Sequence, residues 1–279
     1  MKKMKLTSSN IALVAIFAAL YYVLSLISPY VPAIGLPDIK IQLEALIASV
    51  FGLVLGPYLG ALAAFLGAFV TWVLPPGSMN PMGAPFLLSP PINALVVGLI
   101  FYRKWKYAFA VFGALILAFL FLPPSQPLTE QYIVPAAVLW DKILALLLII
   151  PTVKLSNKLS NPAKLPILLF LLSFIGNQAD NMWGADIFAV PFVYEGIFQI
   201  PDVNVVRYLF VVSPFIYPAI RLIQAIFATM IAVPLIKTLK GTQWIIQERN
   251  IIEWQETQPS VVPPKLEACL LYTSPSPRD

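Results

Sequence analysis

Eight apolar stretches, joined by short loops, make up most of this sequence. They cover residues 10–28, 39–56, 58–74, 85–102, 107–122, 135–153, 165–179 and 208–236. Most of them reach or approach the roughly 20 residues that a helix needs to cross the hydrocarbon core of a bilayer. The pattern predicts an all-α fold, a polytopic membrane bundle of about eight transmembrane helices.

The charged loops predict how the bundle is oriented. The loops on one side carry only basic residues, which are Lys2, Lys3, Lys5, Arg103, Lys104, Lys106, Lys154, Lys158, Lys164, Lys237 and Lys240. The opposite loops carry the acids Asp38, Glu130, Asp180, Asp186, Glu195 and Asp202. Because Lys and Arg are enriched in cytoplasmic loops, we expect the N-terminus and the C-terminus to be cytoplasmic.

Composition narrows the class of protein further. The chain is 59% hydrophobic and 11% charged, and its mean hydropathy is +0.83, so it is far more apolar than a soluble domain. The net charge of +5 is spread over the basic loops and does not indicate binding to nucleic acid. The sequence has no histidine and only one cysteine, Cys269, which excludes histidine metal sites, histidine-assisted hydrolysis and disulfides within the chain. We therefore expect a cell-membrane protein with no metal, no cofactor and no catalytic residues.

The chain divides into three segments. Residues 1–240 form one transmembrane domain. Residues 241–267 are a polar cytoplasmic tail that could begin as an interfacial helix, because Trp244 and Trp254 favour the headgroup layer. Residues 268–279 contain CLLYTSPSPRD, which matches one reading frame of a transposase-type sequencing adapter. We interpret that last segment as a translated artefact and exclude it from the fold.

Two rows of small residues predict close helix packing. Gly52, Gly56 and Gly60 recur at every fourth position around a Gly-Pro pair, which predicts a tight hairpin between the second and third stretches. The first stretch carries the pair Ala15-x-x-x-Ala19. That pair either packs internally, which the sequence alone favours, or contacts another subunit.

Polar residues inside the apolar stretches are the strongest functional signal, because lipid makes them costly. They gather toward the acidic ends of the stretches, whereas the basic ends are almost purely apolar. The candidate binding residues are Gln42, Glu44, Asn93, Trp140, Asp141, Asn177, Asp180, Asn181, Trp183, Tyr217, Arg221 and Gln224. This distribution predicts a cup that opens outward around a small, partly polar ligand, with residues 28–38 and 180–207 as covering loops.

Several candidates also have a purely structural explanation. Lys142 could pair with its neighbour Asp141 at the interface. The side-chain amides of Asn177 and Gln178 could each form hydrogen bonds to other helices. Arg221 needs either an anionic group of a ligand or an acidic partner. The available acids are Glu44, Asp141 and Asp180. Both explanations of Arg221 remain open on the sequence.

Residues 35–70, GLPDIKIQLEALIASVFGLVLGPYLGALAAFLGAFV, resemble the substrate-binding S subunits of energy-coupling-factor (ECF) vitamin transporters. The resemblance rests on Gly-x-x-x-Gly-Pro-x-x-Gly, which starts at Gly52, and on the small-residue helix that follows it. The residue pattern Ile-x-x-x-Leu-x-x-Leu around Gln42 is most similar to that of the biotin-type S subunits. The likeness covers about residues 10–102 and 213–240, whereas about 107–207 does not align.

The resemblance implies a binding subunit without enzymatic activity that serves the uptake of a vitamin or similar small molecule. It implies two kinds of partner, separate ATPase subunits and a transmembrane coupling subunit that would contact Ala15 and Ala19. Apart from the resemblance, the buried charge of Arg221 leads us to expect that it would meet an anionic group of the ligand. Family members typically have six spans, and the two additional stretches fall in the part that does not align.

Two other functional classes stay open. An autonomous secondary transporter predicts an internal repeat, and the halves of this sequence show no convincing similarity. A membrane-embedded enzyme would need a carboxylate pair such as Asp141 with Asp180, and no flanking motif supports that pair. The sequence contains no Gly-x-x-x-x-Gly-Lys-Ser/Thr phosphate loop, so ATP hydrolysis of that type would need another subunit.

Overall fold

Helices account for nearly all of the structure, a computed structural model that describes residues 7–27, 32–33, 36–40, 44, 46–75, 77, 79–157 and 164–239. The α-helices are α1 (Ser8–Ile27), α2 (Leu46–Val73), α3 (Ser89–Phe101), α4 (Trp105–Phe119), α5 (Leu128–Gln131), α6 (Ile133–Asn157), α7 (Leu165–Phe188), α8 (Val203–Val212) and α9 (Tyr217–Leu239). Short 3-10 helices cover Ala84–Leu88, Pro123–Ser125 and Ser213–Phe215, and a π-helix covers Phe192–Ile197. An antiparallel pair of short strands, β1 (Pro32–Ala33) and β2 (Leu36–Lys40), lies between α1 and α2.

The predicted helical membrane bundle is confirmed. Five helices in the described part of the chain are long and apolar enough to cross a membrane, namely Ser8–Ile27, Leu46–Val73, Ala84–Phe101, Ile133–Ser156 and Tyr217–Leu239. The count of eight spans and the cytoplasmic side of the termini remain predictions. α4 has 15 residues and a length of about 22 Å, which falls short of a hydrocarbon core of roughly 30 Å.

α2 folds back on itself at Gly56. This residue has φ 82° and ψ 176°, a backbone conformation that residues with a side chain rarely adopt. A Cβ atom on Gly60 would lie 2.7 Å from the carbonyl oxygen of Phe51, so the arms 46–55 and 57–73 run side by side. The structure therefore contains the hairpin that the glycine row predicts.

Some boundaries differ from those expected from the sequence. The stretch predicted to start a helix at residue 39 starts with β2 instead, because residues 36–40 pair with β1 and α2 begins only at Leu46. The predicted final span, 208–236, is divided between α8 and α9. Pro214 lies in the 3-10 turn between them, where it lacks the amide hydrogen that would continue α8.

α3 occupies the centre of the bundle, between the α2 hairpin and α7. A Cβ atom on Gly52 of α2 would overlap the carbonyl oxygen of Ala94, so the two backbones touch there. α1 packs on the hairpin through an edge-to-face contact between Phe17 and Phe51, with ring centroids 5.0 Å apart. α9 packs against α7, which completes the surroundings of the buried polar residues.

Part of what the sequence predicts lies outside the described residues. This is the case for Gln42, for the tail at 241–267 and for the adapter segment at 268–279. The division of the chain into these three segments stays a prediction.

Candidate functional site

Buried polar side chains gather where α3, α6, α7 and α9 meet, near the start of α2. Inside a bilayer such groups cost free energy unless they pair within the protein or meet a ligand. The buried members are Glu44, Ser49, Ser89, Asn93, Asp141, Lys142, Asn177, Gln178, Asp180, Arg221 and Gln224. We call these residues the polar cluster.

A chain of hydrogen bonds joins three helices within the polar cluster. The Ser49 hydroxyl on α2 donates to Asn93 Oδ1 on α3 at 2.8 Å. Asn93 Nδ2 in turn donates to Asn177 Oδ1 on α7 at 2.9 Å. A Cβ atom on Gly176 would overlap the Asn93 amide, so the glycine lets α7 come close enough for this bond. The amides therefore connect helices, as the structural explanation of Asn177 proposes.

Arg221 on α9 is paired within the protein. Its Nη1 lies 3.8 Å from Asp180 Oδ2 on α7 and donates to Gln224 Oε1 at 2.8 Å. The Ser89 side chain on α3 also hydrogen-bonds to Asp180. Of the three acids that the sequence offers as partners of Arg221, the structure thus selects Asp180.

A second ion pair lies on α6. Lys142 Nζ is 2.9 Å from Asp141 Oδ1, and both side chains are almost fully buried. The pair is therefore enclosed by the protein. Lys142 also lies within electrostatic range of Arg221, which places both pairs in one region of the bundle. Two acids and two bases balance there, so this part of the polar cluster carries no net charge.

Some buried polar atoms keep unused hydrogen-bonding capacity. Both amide atoms of Gln178, Nδ2 of Asn177, Nε1 of Trp183 and Nε of Arg221 have no hydrogen-bond partner among the described residues. These atoms offer donors on α7 and α9 and one carbonyl acceptor on α7. Because a buried polar group without a partner is costly, the atoms of Asn177, Gln178 and Trp183 are those best suited to receive a polar ligand.

The structure brings most of the predicted binding residues together. Glu44 and Asp180 both lie within electrostatic range of the buried Tyr21 ring, which connects the start of α2 to α7. Asn181, Trp183 and Tyr217 are only half-buried and lie at the edge of the polar cluster.

Trp140 is the candidate that lies apart from the cluster. Its side chain is 49% exposed, on the same surface of α6 as the exposed residues Ile143, Leu144 and Leu147. Consecutive side chains point in different directions around a helix axis. Asp141 therefore faces the interior of the bundle, whereas its neighbour Trp140 faces outward.

Sequence reasoning missed three members of this region, which are Tyr21, Ser49 and Ser89. Tyr21 and Ser49 lie within apolar runs and are fully buried, and Ser89 starts α3. The hydropathy pattern of the sequence does not identify these residues as functional candidates, because a single hydroxyl group does not interrupt an apolar helix. For Gln178, the sequence predicts only hydrogen bonding between helices.

The small residues of α1 fall on two faces. Ala15 and Ala19 are exposed on the outside of the bundle, whereas Ala18 is buried. A Cβ atom on Gly67 of α2 would lie 3.2 Å from the Ala18 carbonyl oxygen, so Ala18 faces the hairpin. Internal packing, which the sequence favours for Ala15 and Ala19, is thus provided by a different alanine. The exposed pair is free to meet lipid or another helix.

The geometry suits binding better than catalysis. Asp141 and Asp180, the carboxylates considered for an enzyme, each lie next to a cation, on Lys142 and Arg221 respectively. Each of these carboxylates is therefore already paired within the protein. What remains available is a set of hydrogen-bonding groups in an apolar surround.

Comparison with known proteins finds one protein family that is similar to the N-terminal part of the chain. The model of one family, described as "ECF-type riboflavin transporter, S component", matches residues 5–124. No curated protein and no solved structure matches the chain. The match includes α1, the α2 hairpin, α3 and α4, and it does not single out the biotin-type subunits that the sequence texture suggests. The match covers less than half of the chain, and there it agrees with the resemblance of the sequence to ECF S subunits.

Proposed function

We propose that this chain binds riboflavin or a closely related flavin at the polar cluster and delivers it to an ECF-type uptake system. The observation that carries the proposal is the match of residues 5–124 to the riboflavin-type S component family, which includes two elements of the cluster, α2 and α3. The remaining cluster residues lie on α6, α7 and α9, beyond the matched part. The identity of the ligand therefore rests on the family and on the chemistry of those later helices.

The two ion pairs of the polar cluster support a neutral ligand. Arg221 has Asp180 beside it, and Lys142 has Asp141, so neither cation requires an anionic group of a substrate. A flavin without phosphate is uncharged and combines an apolar ring system with a chain of hydroxyl groups. The amide of Gln178 and the free donors of Asn177 and Trp183 fit such hydroxyl and ring-edge groups. We therefore propose a neutral ligand in place of the anionic ligand that the buried charge of Arg221 suggests from the sequence.

The partners follow from the same family. S components associate with an ECF module made of ATPases and a transmembrane component. We assign the exposed Ala15 and Ala19 to the contact with the transmembrane component, because small side chains let two helices approach closely in lipid. The biotin-type reading remains the alternative for the ligand.

A titration of the purified full-length chain tests the ligand. Riboflavin fluorescence should be quenched in a saturable manner as protein is added in detergent, and biotin should not compete. Binding of biotin without binding of riboflavin would transfer the assignment to the biotin type. A folded protein that binds neither molecule would remove the vitamin assignment altogether.

A pair of variants tests the place of binding. Gln178→Leu should weaken riboflavin binding about 5-fold, because one hydrogen bond to the ligand is worth about 1 kcal/mol. The melting temperature should stay near that of the parent, since Gln178 has no hydrogen-bond partner among the described residues. Glu195→Gln, an exposed carboxylate outside the polar cluster, is the matched control and should change neither quantity. If Gln178→Leu lowers stability without lowering affinity, the ligand does not reach α7.

A further inference from the structure

One end of the bundle carries a compact unit that the family match leaves mostly uncovered. We call residues 119–132 together with 190–212 the helical cap. Its interior is aromatic, and the ring centroids lie 5.2 Å apart for Phe119 and Phe210 and 5.8 Å apart for Phe188 and Phe210. These contacts fix α8 onto the ends of α4 and α7.

Arg207 locks the two parts of the helical cap together. Its Nε donates to the Pro124 carbonyl at 3.2 Å, and its Nη2 donates to the Gln126 carbonyl at 2.6 Å. Its Nη1 also donates to Asn204 Oδ1 at 2.9 Å. The Asp202 carboxylate caps the start of α8 by accepting from the Asn204 amide at 2.8 Å. The helical cap therefore has a defined shape and a defined outer surface.

One part of the outer surface of the helical cap is apolar. Val206 and Phe210 of α8 are buried, whereas Val205 and Tyr208 on its other face are exposed. Tyr208 has 67% of its surface exposed, and Phe121 on the adjoining loop has 80%. α8 has 10 residues and a length of about 15 Å, half of a hydrocarbon core, so it does not cross the membrane.

This surface continues the lipid-facing surface of the bundle. Leu117 on α4 is exposed one helical turn before Phe121, and the exposed stripe of α6 begins at Ile133, directly after the cap. The cap's acids Glu130, Glu195 and Asp202 are exposed as well, so the cap also has charged groups that require water. Exposed aromatic groups next to spanning helices, with acids nearby, are typical of a segment at the boundary between acyl chains and headgroups.

We propose that the helical cap is an interfacial anchor, in which Phe121, Val205 and Tyr208 lie in the headgroup layer of the bilayer and α8 runs along the membrane surface. The partner that this surface fits is lipid, and not a second protein chain. The proposal depends on the location of the protein in the membrane but not on the identity of its vitamin. Its failure would therefore leave the proposed flavin binding intact.

Fluorescence quenching in vesicles tests the anchor. The full-length chain with Cys269→Ser receives a single cysteine by Tyr208→Cys or Phe121→Cys and an environment-sensitive fluorophore on that cysteine. In phosphatidylcholine vesicles, both labels should be quenched by lipids with a nitroxide near the headgroup and protected from aqueous iodide. Matched labels at Glu130→Cys and Glu195→Cys should show the opposite pattern.

Two results would overturn the proposal. Iodide quenching at position 208 equal to that at position 130 would place α8 in water. Protection of position 208 from both quenchers would mean that protein covers it. If Tyr208→Cys does not fold, Val205→Cys reports the same face of α8 and decides between the same outcomes.

Discussion

At the residue scale, Arg221 is a buried charge whose partner cannot be chosen from the sequence alone. The sequence shows that it lies deep in an apolar stretch and needs a partner, but it leaves three acids and a ligand as candidates. Position along a helix gives depth, whereas the choice of partner depends on how α6, α7 and α9 are rotated against one another. The structure resolves this rotation by turning Asp180 toward Arg221 and Asp141 toward Lys142.

The Arg221–Asp180 pair makes a prediction about stability. Arg221→Gln and Asp180→Asn should each lower the free energy of unfolding by about 3 kcal/mol, because each leaves one buried charge without its partner. The double variant should lose less than the sum of the two, since it removes both charges. Thermal unfolding in detergent, analysed as a double-mutant cycle, measures this coupling.

The control for this cycle is the exposed Glu195→Gln, combined with Arg221→Gln, for which strict additivity is expected. Additive losses for Arg221 and Asp180 themselves would show that the pair contributes nothing. Riboflavin binding by the folded fraction of Arg221→Gln should persist, because the guanidinium is assigned to the protein and not to an anionic ligand.

At the scale of helices, small-residue spacing proved more informative than hydropathy. The glycine row predicted the α2 hairpin at the correct turn, because Gly-Pro in an apolar run has few other uses in a membrane. Hydropathy alone joined α8 to α9, since both are apolar and Pro214 interrupts them only locally. It also ended the seventh stretch at residue 179, because the buried polar groups of α7 look like loop residues when their partners are unknown.

Two glycines allow a matched test of close packing. Gly52→Ala should destabilise the protein and open the contact between α2 and α3, since the new methyl group would overlap the Ala94 carbonyl oxygen. Gly113→Ala in α4 meets only Leu146 Cδ2 at 4.0 Å, so it should be neutral or stabilise by up to about 1 kcal/mol through helix propensity. The melting temperatures of the two variants test this difference. Equal changes in melting temperature would contradict the close contact between α2 and α3 at Gly52.

At the scale of the whole molecule, α1 presents different alanines to different neighbours. Ala15→Leu combined with Ala19→Leu should leave riboflavin binding and stability unchanged but reduce co-purification with the transmembrane component and the ATPases. Ala18→Leu should instead lower the melting temperature, because this position faces the α2 hairpin. Loss of flavin affinity in the double variant, with assembly intact, would show that the exposed pair has another role.

The orientation of the chain is a second prediction at this scale. In a Cys269→Ser background, a cysteine at Lys104 should react with an impermeant reagent only from the cytoplasmic side. Cysteines at Glu130 and Glu195 should react only from outside, as the charge asymmetry of the loops requires. Labelling of position 130 from the cytoplasm would overturn both the orientation and the count of spans.

The polar second half of α7 has a consequence for biosynthesis. A ribosome makes α7 before α9, so Asp180 reaches the membrane before Arg221 exists. Until α9 follows, the hydrogen bonds that the described residues give to the polar groups of α7 come from α3, through Ser89 and Asn93. We expect nascent chains released before α9 to hold α7 poorly in the membrane, which glycosylation mapping of truncated chains would reveal. α9 would thus stabilise the earlier helix α7 in the membrane. Insertion of α7 would then be complete only after α9 has been made.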